Sequence, residues 1–280
     1  MPSRSCLKHA AVVLILTAVP PALFAQWLNY PTPGVPRTPD GKPNLSAPAP
    51  RTADGKPDLS GMWGWVNIGP PCGAQCNDLQ ISREFINIAA TLKDGLPYQP
   101  WAAALVKQRE ERMAKDDPNV RCMPRDAPRI WTDDYYKRLI QTPGRLIILT
   151  ERNMQYRQIF TDGRPLPVDP NPTWNGYSTG RWEGDTLVVE TIGFRDDLWL
   201  DSNGNPLTNA GKMIERISRP NFGTLKIEIT IDDPKAYTKP WSVTLTEPLI
   251  LNSELLDYYC LEDERDYQHM VTPKGPDKQP

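Results

Sequence analysis

The chain has 280 residues, with 32 lysines and arginines against 34 aspartates and glutamates, so its formal net charge is −2 at pH 7. This balance argues against the concentrated basic face with which proteins bind nucleic acids or anionic membranes. The 31 prolines are about twice the average frequency of roughly 5%, which indicates extended segments and turns rather than long helices.

The first 25 residues have the three parts of a secretory signal peptide. Arg4 and Lys8 form a basic start, residues 10–19 are apolar, and a cleavage site ends at Ala25. The apolar stretch is shorter than the roughly 20 residues that a membrane-spanning helix needs. The sequence therefore predicts export to the periplasm or beyond, without a membrane span.

Residues 26–62 are predicted to form a Pro-rich arm that carries a tandem repeat. The sequence RTPDGKPNLS at 37–46 recurs fourteen residues later as RTADGKPDLS at 51–60. Two copies are too few for a solenoid, so we expect each to be an Asp-Gly turn followed by an extended segment. We interpret the arm as a surface segment that Leu and Trp side chains fix to the domain; a binding motif is the alternative.

Four cysteines follow the predicted cleavage site, namely Cys72, Cys76, Cys122 and Cys260. An even number in an oxidising compartment favours two disulfides. The close spacing of Cys72 and Cys76 favours a local bridge, so Cys122 is expected to pair with Cys260. A zinc site is the alternative, but the C-x3-C spacing has no matching second pair, and we predict no metal and no cofactor.

An insertion at 80–115 is predicted to hold two helices. One rests on the helical spacing of apolar residues from Ile81 to Leu92, and the other on an Ala-, Arg- and Glu-rich stretch after Pro100. Residues 116–128 are predicted to be a loop.

From residue 135 onward the pattern is typical of strands. Residues 224–231 alternate apolar and polar side chains, which indicates a sheet with one dry and one wet face. Short links such as Gly184-Asp185 predict antiparallel neighbours. The predicted fold is all-β, a lipocalin-like antiparallel barrel over residues 63–280. Seven strands are predicted at 145–150, 155–160, 177–182, 186–191, 213–218, 224–231 and 241–247, with an eighth at 137–142.

Several motifs resemble a family of exported bacterial proteins without an assigned activity. They include PDLSGMW at 57–63, GRWEGDTLVVETIGF at 180–194 and DPKAYTKPW at 233–241. The likeness covers most of the chain from about residue 51 but implies no activity. The WEGDTL hairpin also looks like those of lipocalin and fatty-acid-binding barrels, which is an analogy of fold alone.

Carboxylates are the main candidates for chemistry, because His269 is the only histidine after the predicted signal peptide. Glu215 alternates with apolar residues on its strand, and Glu190 lies in a neighbouring strand. Two interior carboxylates at a suitable separation could act as an acid–base pair. The alternative is a structural ion pair of either glutamate with an arginine. The candidate arginines are Arg157, Arg181 and Arg216.

Aromatic side chains crowd the strand ends and loops where the mouth of a barrel would lie, and flat rings can stack on sugars or apolar ligands. The sequence thus predicts an exported protein that binds an apolar, aromatic or glycan small molecule in a barrel. The alternatives are a carboxylate-dependent hydrolase, lyase or isomerase that uses Glu190 and Glu215, and an envelope interaction protein that uses the arm. The predicted ligand-binding residues are Trp174, Tyr177, Trp182, Phe194 and Trp199, together with Arg157, Arg181 and Arg216.

Overall fold

A computed structural model describes residues 30–64, 80–82, 85–90, 92–125, 127–132 and 135–263. The predicted signal peptide, Cys72, Cys76 and His269 lie outside these ranges. The first elements in chain order are β1 (Gly61–Trp63), β2 (Gln80–Ser82), β3 (Phe85–Asn87), α1 (Pro100–Glu111), a 3-10 turn (Pro118–Arg121) and α2 (Ala127–Trp131).

The remaining described elements are almost all strands. The strands are β4 (Lys137–Thr142), β5 (Arg145–Thr150), β6 (Tyr156–Phe160), β7 (Tyr177–Glu183), β8 (Thr186–Ile192), β9 (Leu198–Trp199), β10 (Pro206–Leu207), β11 (Lys212–Asn221), β12 (Thr224–Asp232) and β13 (Trp241–Pro248), followed by helix α3 (Cys260–Asp263). All eight long strands predicted from the sequence are present.

Nine strands form one sheet in the order β1-β4-β5-β6-β7-β8-β11-β12-β13. The two edges of this sheet meet just beyond β13, where Trp63 pairs with Leu249 and the Ile250 amide donates to the Met62 carbonyl at 2.8 Å. The sheet is therefore a nearly closed barrel, which confirms the predicted all-β barrel. Closure also satisfies strand edges that would otherwise be exposed.

The prediction of antiparallel neighbours is wrong at one position, the contact between β6 and β7. These strands are parallel and pair only at Ile159–Ser178 and Phe160–Thr179. Residues 161–176 return the chain from the end of β6 to the start of β7, and a connection of this length permits a parallel pair. We call this boundary the seam.

The prediction of two helices in the insertion at 80–115 is also partly wrong. Helix α1 matches the second, with Pro100 in its first turn, where a missing amide hydrogen costs nothing. The segment predicted as the first helix instead begins with a hairpin of β2 and β3. A short apolar run cannot be assigned to helix or strand by spacing alone.

The two ends of the barrel are covered by different segments of the chain. Strand direction places the hairpin turns of β4–β5, β7–β8 and β11–β12 at one end, which we call the turn end. The other end, the loop end, carries residues 193–211 and 233–240. There α1 is held by the Arg109 guanidinium, which donates to the Gly204 carbonyl at 2.7 Å, and α2 by the Thr132 hydroxyl, which donates to the Leu200 carbonyl at 3.1 Å.

The arm lies across the turn end, and its two repeat copies have the same conformation. Arg37 donates to the Gly41 carbonyl at 2.7 Å, and Arg51 donates to the Gly55 carbonyl at 2.6 Å. The first copy is fixed to the β11–β12 turn, where the Gly223 amide donates to the Leu45 carbonyl at 2.8 Å. The arm therefore covers the hairpin turns.

The predicted disulfide between Cys122 and Cys260 is present, with the two Cα atoms 5.5 Å apart. It joins the residue after the 3-10 turn to the start of α3. Among the described residues, no helix is long and apolar enough to cross a membrane.

Replacing Cys122 and Cys260 together by serine should lower the free energy of unfolding by about 2 to 5 kcal/mol, because the bridge closes a long loop that the unfolded chain could otherwise explore. Urea unfolding measures this change. Leu261→Ala is the control, since Leu261 follows Cys260 and is 78% exposed. An unfolding midpoint of the double variant equal to that of the control would contradict the expectation.

Candidate functional site

The barrel interior holds a buried carboxylate. Alternation along β11 turns Met213, Glu215 and Ile217 inward, and all three are 0% exposed. Arg157 of β6 donates to both oxygens of Glu215, at 2.8 and 2.5 Å. The Trp131 indole of α2 also donates to the carboxylate, at 2.5 Å. Both oxygens of Glu215 are thus engaged.

Arg157 extends this contact to two more strands. It donates to the Ser178 hydroxyl of β7 at 3.1 Å and to the Thr191 hydroxyl of β8 at 3.0 Å. A counter-charge and further hydrogen bonds offset the desolvation of a buried ion pair. Arg157 has both, although its Nε has no partner among the described residues. This geometry is that of the structural ion pair, the alternative that the sequence left open.

A second ion pair lies in the interior, and sequence reasoning missed it. The Lys137 ammonium of β4 lies 2.6 Å from Glu247 of β13, and both side chains are almost fully buried. Burial raises the pKa of Glu247 above its ordinary value. The Lys137 nitrogen is also 5.7 Å from the centroid of the Trp131 ring, so Trp131 contacts both pairs. The inward alternation of β13, from Trp241 to Glu247, is the signal that could have located this glutamate.

The structure does not bring Glu190 together with Glu215. Residues 189 and 190 point to opposite faces of β8, and Val189 is the one that pairs with Glu215. Glu190 lies on the outer face, 2.5 Å from Lys212 and 2.8 Å from Arg181. The hydrogen bond from Lys212, and then that from Arg181, holds the pKa of Glu190 below its ordinary value.

The other predicted ligand-binding residues divide into four groups. Arg181 and Arg216 lie on the outer face, where each pairs with Glu183 at about 3 Å. Phe194 and Trp199 are buried at the loop end, with the Arg109 guanidinium 4.1 Å above the Trp199 ring. Trp182 faces the turn end opposite Leu187. Trp174 and Tyr177 share one cleft with Arg157.

That cleft, which we call the seam cleft, has a volume of about 560 Å³. It exists because β6 and β7 pair at only two positions and separate toward the loop end. Residues 153–158 line one side and residues 173–178 the other. The buried Arg157 and Ser178 form part of its wall, so the cleft adjoins the interior ion pair.

Both aromatic and polar residues line the seam cleft. Tyr156 is 61% exposed, and Tyr177 stacks on Phe160 with ring centroids 5.3 Å apart. The Arg195 guanidinium lies 4.5 Å from the centroid of the Trp174 ring and orients it. The Asn175 side-chain nitrogen donates to the Tyr156 carbonyl at 3.2 Å and bridges the cleft.

Two polar atoms in this wall lack a partner. Neither Asn175 Oδ1 nor Arg157 Nε has a hydrogen bond within the part of the chain that the structure describes. Unpaired buried polar atoms are rare in folded proteins because each costs free energy. Asn175 Oδ1 is an acceptor and Arg157 Nε is a donor.

No protein-family model, no curated protein and no solved structure matches this chain. The family resemblance of the motifs therefore stays a prediction. Within the described ranges, no three His, Cys, Asp or Glu side chains lie together in a way that could hold a metal ion.

Glu215→Gln should lower the free energy of unfolding by about 3 to 5 kcal/mol, because it leaves the Arg157 charge buried without a counter-charge. Glu190→Gln is the matched control and should cost less than about 1 kcal/mol, since its ion pairs lie at the surface. Urea unfolding of the two variants compares them. If Glu215→Gln were as stable as the wild type, the result would contradict a structural role of the interior ion pair.

Proposed function

We propose that this chain is an exported protein that binds a small glycan in the seam cleft. The observation that carries the proposal is that one cleft is lined by aromatic rings and also by Asn175 and Arg157, each of which has a buried polar atom without a partner among the described residues. Sugars present both kinds of surface, since their C–H faces stack on rings and their hydroxyl groups donate and accept hydrogen bonds.

The rings supply the apolar part of the site. Tyr156 and Met154 are 61% and 48% exposed, although both are large apolar side chains, and both line the cleft. Trp174 and Tyr177 face them from the other side of the seam. A flat ligand placed between these sides would cover apolar surface that is otherwise in water.

The polar side chains of the cleft wall would orient a bound sugar. A ligand hydroxyl that reaches Asn175 Oδ1 or Arg157 Nε would give that buried atom the partner it lacks within the described residues. Arg157 would remain fixed meanwhile by Glu215, Ser178 and Thr191. A preorganised donor of this kind reduces the ordering cost of binding.

Export is part of the same proposal. It rests on the predicted signal peptide and is supported by the Cys122–Cys260 disulfide, because such bridges form and persist in oxidising compartments. A role of Glu215 as an acid or base is not favoured, since Arg157 and Trp131 already occupy its oxygens.

The test is isothermal titration calorimetry with maltose, cellobiose and N,N′-diacetylchitobiose. We expect at least one disaccharide to bind with one site per chain. Tyr156→Ala and Trp174→Ala should each weaken that binding roughly tenfold, the loss of about 1.4 kcal/mol that one ring contact can supply.

Tyr259→Ala is the control, because Tyr259 is 48% exposed and does not line the cleft. Its affinity should equal that of the wild type. Absence of binding by all three sugars, or an equal loss in the Tyr259 variant, would refute the proposal. Thermal melts of each variant separate loss of binding from loss of folding.

A further inference from the structure

A second pocket lies at the turn end of the barrel, away from the seam cleft. We call it the mouth pocket; its volume is about 430 Å³. The inward-facing side chains of Leu146, Trp182 and Leu187 form its wall, and the β4–β5 turn at Pro143–Gly144 forms part of its rim. Leu146 and Leu187 are almost completely buried and lie at its base.

The second repeat copy forms the roof of the mouth pocket, with Thr52, Ala53 and Asp54 in its lining. Arg51 fixes this roof to the β7–β8 turn through two bonds to Asp185, at 2.9 and 2.6 Å. Lys56 adds a weaker contact, 6.0 Å from the centroid of the Trp182 ring. Both side chains of the Arg51–Asp185 pair are more than half exposed, so the roof is held by an interaction that solvent and salt weaken.

Several polar groups of the lining are already bonded within the protein. Gln141 accepts from the Leu59 amide at 2.9 Å and donates to the Pro57 carbonyl at 3.3 Å. The Thr142 hydroxyl donates to the Arg145 carbonyl at 3.2 Å, and the Thr52 hydroxyl donates to the Lys56 carbonyl at 3.0 Å. The lining also holds the Asp54 carboxylate, which accepts from the Thr52 hydroxyl, and the Arg145 guanidinium, 5.0 Å from the centroid of the Phe160 ring. The rest of the surface open to a ligand is mainly apolar.

We propose that the mouth pocket binds a neutral apolar small molecule and that the second repeat copy is its lid. A cavity of this volume lies within the range of small-molecule sites, and Leu146, Trp182 and Leu187 give it a mainly apolar wall. The two repeat copies then have different roles. The first copy is fixed to the β11–β12 turn, whereas the second covers the pocket. It does not depend on glycan binding at the seam.

The test uses the neutral fluorescent probe N-phenyl-1-naphthylamine with the full mature chain. We expect saturable binding of one probe per chain. Ala53→Trp places a large ring in the roof and should weaken binding at least about tenfold. Pro39→Trp is the matched control, since Pro39 holds the same position in the first copy, and its affinity should stay within about twofold of the wild type.

Two further variants make the outcome specific. Tyr156→Ala should leave the affinity for the probe unchanged. A lower affinity in this variant would place the probe in the seam cleft and overturn the proposal. Asp185→Asn removes the charge that holds the roof and should accelerate probe release several-fold in stopped-flow measurements. No saturable binding by the wild type, equal binding by Ala53→Trp, or an unchanged release rate in Asp185→Asn would each overturn it.

Discussion

The contact on which the barrel depends is the buried Arg157–Glu215 pair. At the seam, β6 and β7 share only two residue pairs, so backbone hydrogen bonds alone hold this boundary weakly. Arg157 projects from β6 and bonds to Ser178, Thr191 and Glu215, which lie on the next three strands beyond the seam. Side-chain bonds thus replace the missing backbone ladder. A charge is acceptable there because its counter-charge and its hydroxyl partners are fixed in place.

The Arg157–Glu215 pair also links the fold to the candidate site. Trp131 enters from α2 and contacts both interior ion pairs, so the covering of the loop end and the barrel interior support each other. The seam opens toward that end because residues 161–176 bring the chain back as a loop instead of a strand. The strand separation that weakens the sheet also creates a cleft in which Tyr156 is exposed and Trp174 and Tyr177 are half-buried. The Arg157–Glu215 pair and the seam cleft are therefore two consequences of one parallel pairing.

Much of the barrel was predictable because its strands alternate apolar and polar residues, as in 224–231, and because Gly184, at a φ of 61°, permits the tight turn that its sequence indicates. The parallel pairing at the seam could not be predicted, because the pairing of strands joined by a long link depends on tertiary packing. Glu215 was predicted to face inward, but the same reasoning placed Glu190 in the interior, where it does not lie. The outward direction of the Glu190 side chain follows from the strand register, which the sequence alone does not specify. Lys137 was missed because lysines are rarely buried without a partner, and its partner Glu247 is 110 residues away.

The most direct test of the account is a nuclear magnetic resonance titration of the chain labelled with ¹⁵N at tryptophan, with the disaccharide that binds most tightly. The indole signals are assigned by single Trp→Phe replacements. We expect the Trp174 indole signal to shift on binding. The Trp131 indole signal should stay in place and its hydrogen should exchange slowly with solvent, because it is bonded to Glu215 in the interior. A shift confined to Trp182, or a rapidly exchanging Trp131 indole, would contradict the account.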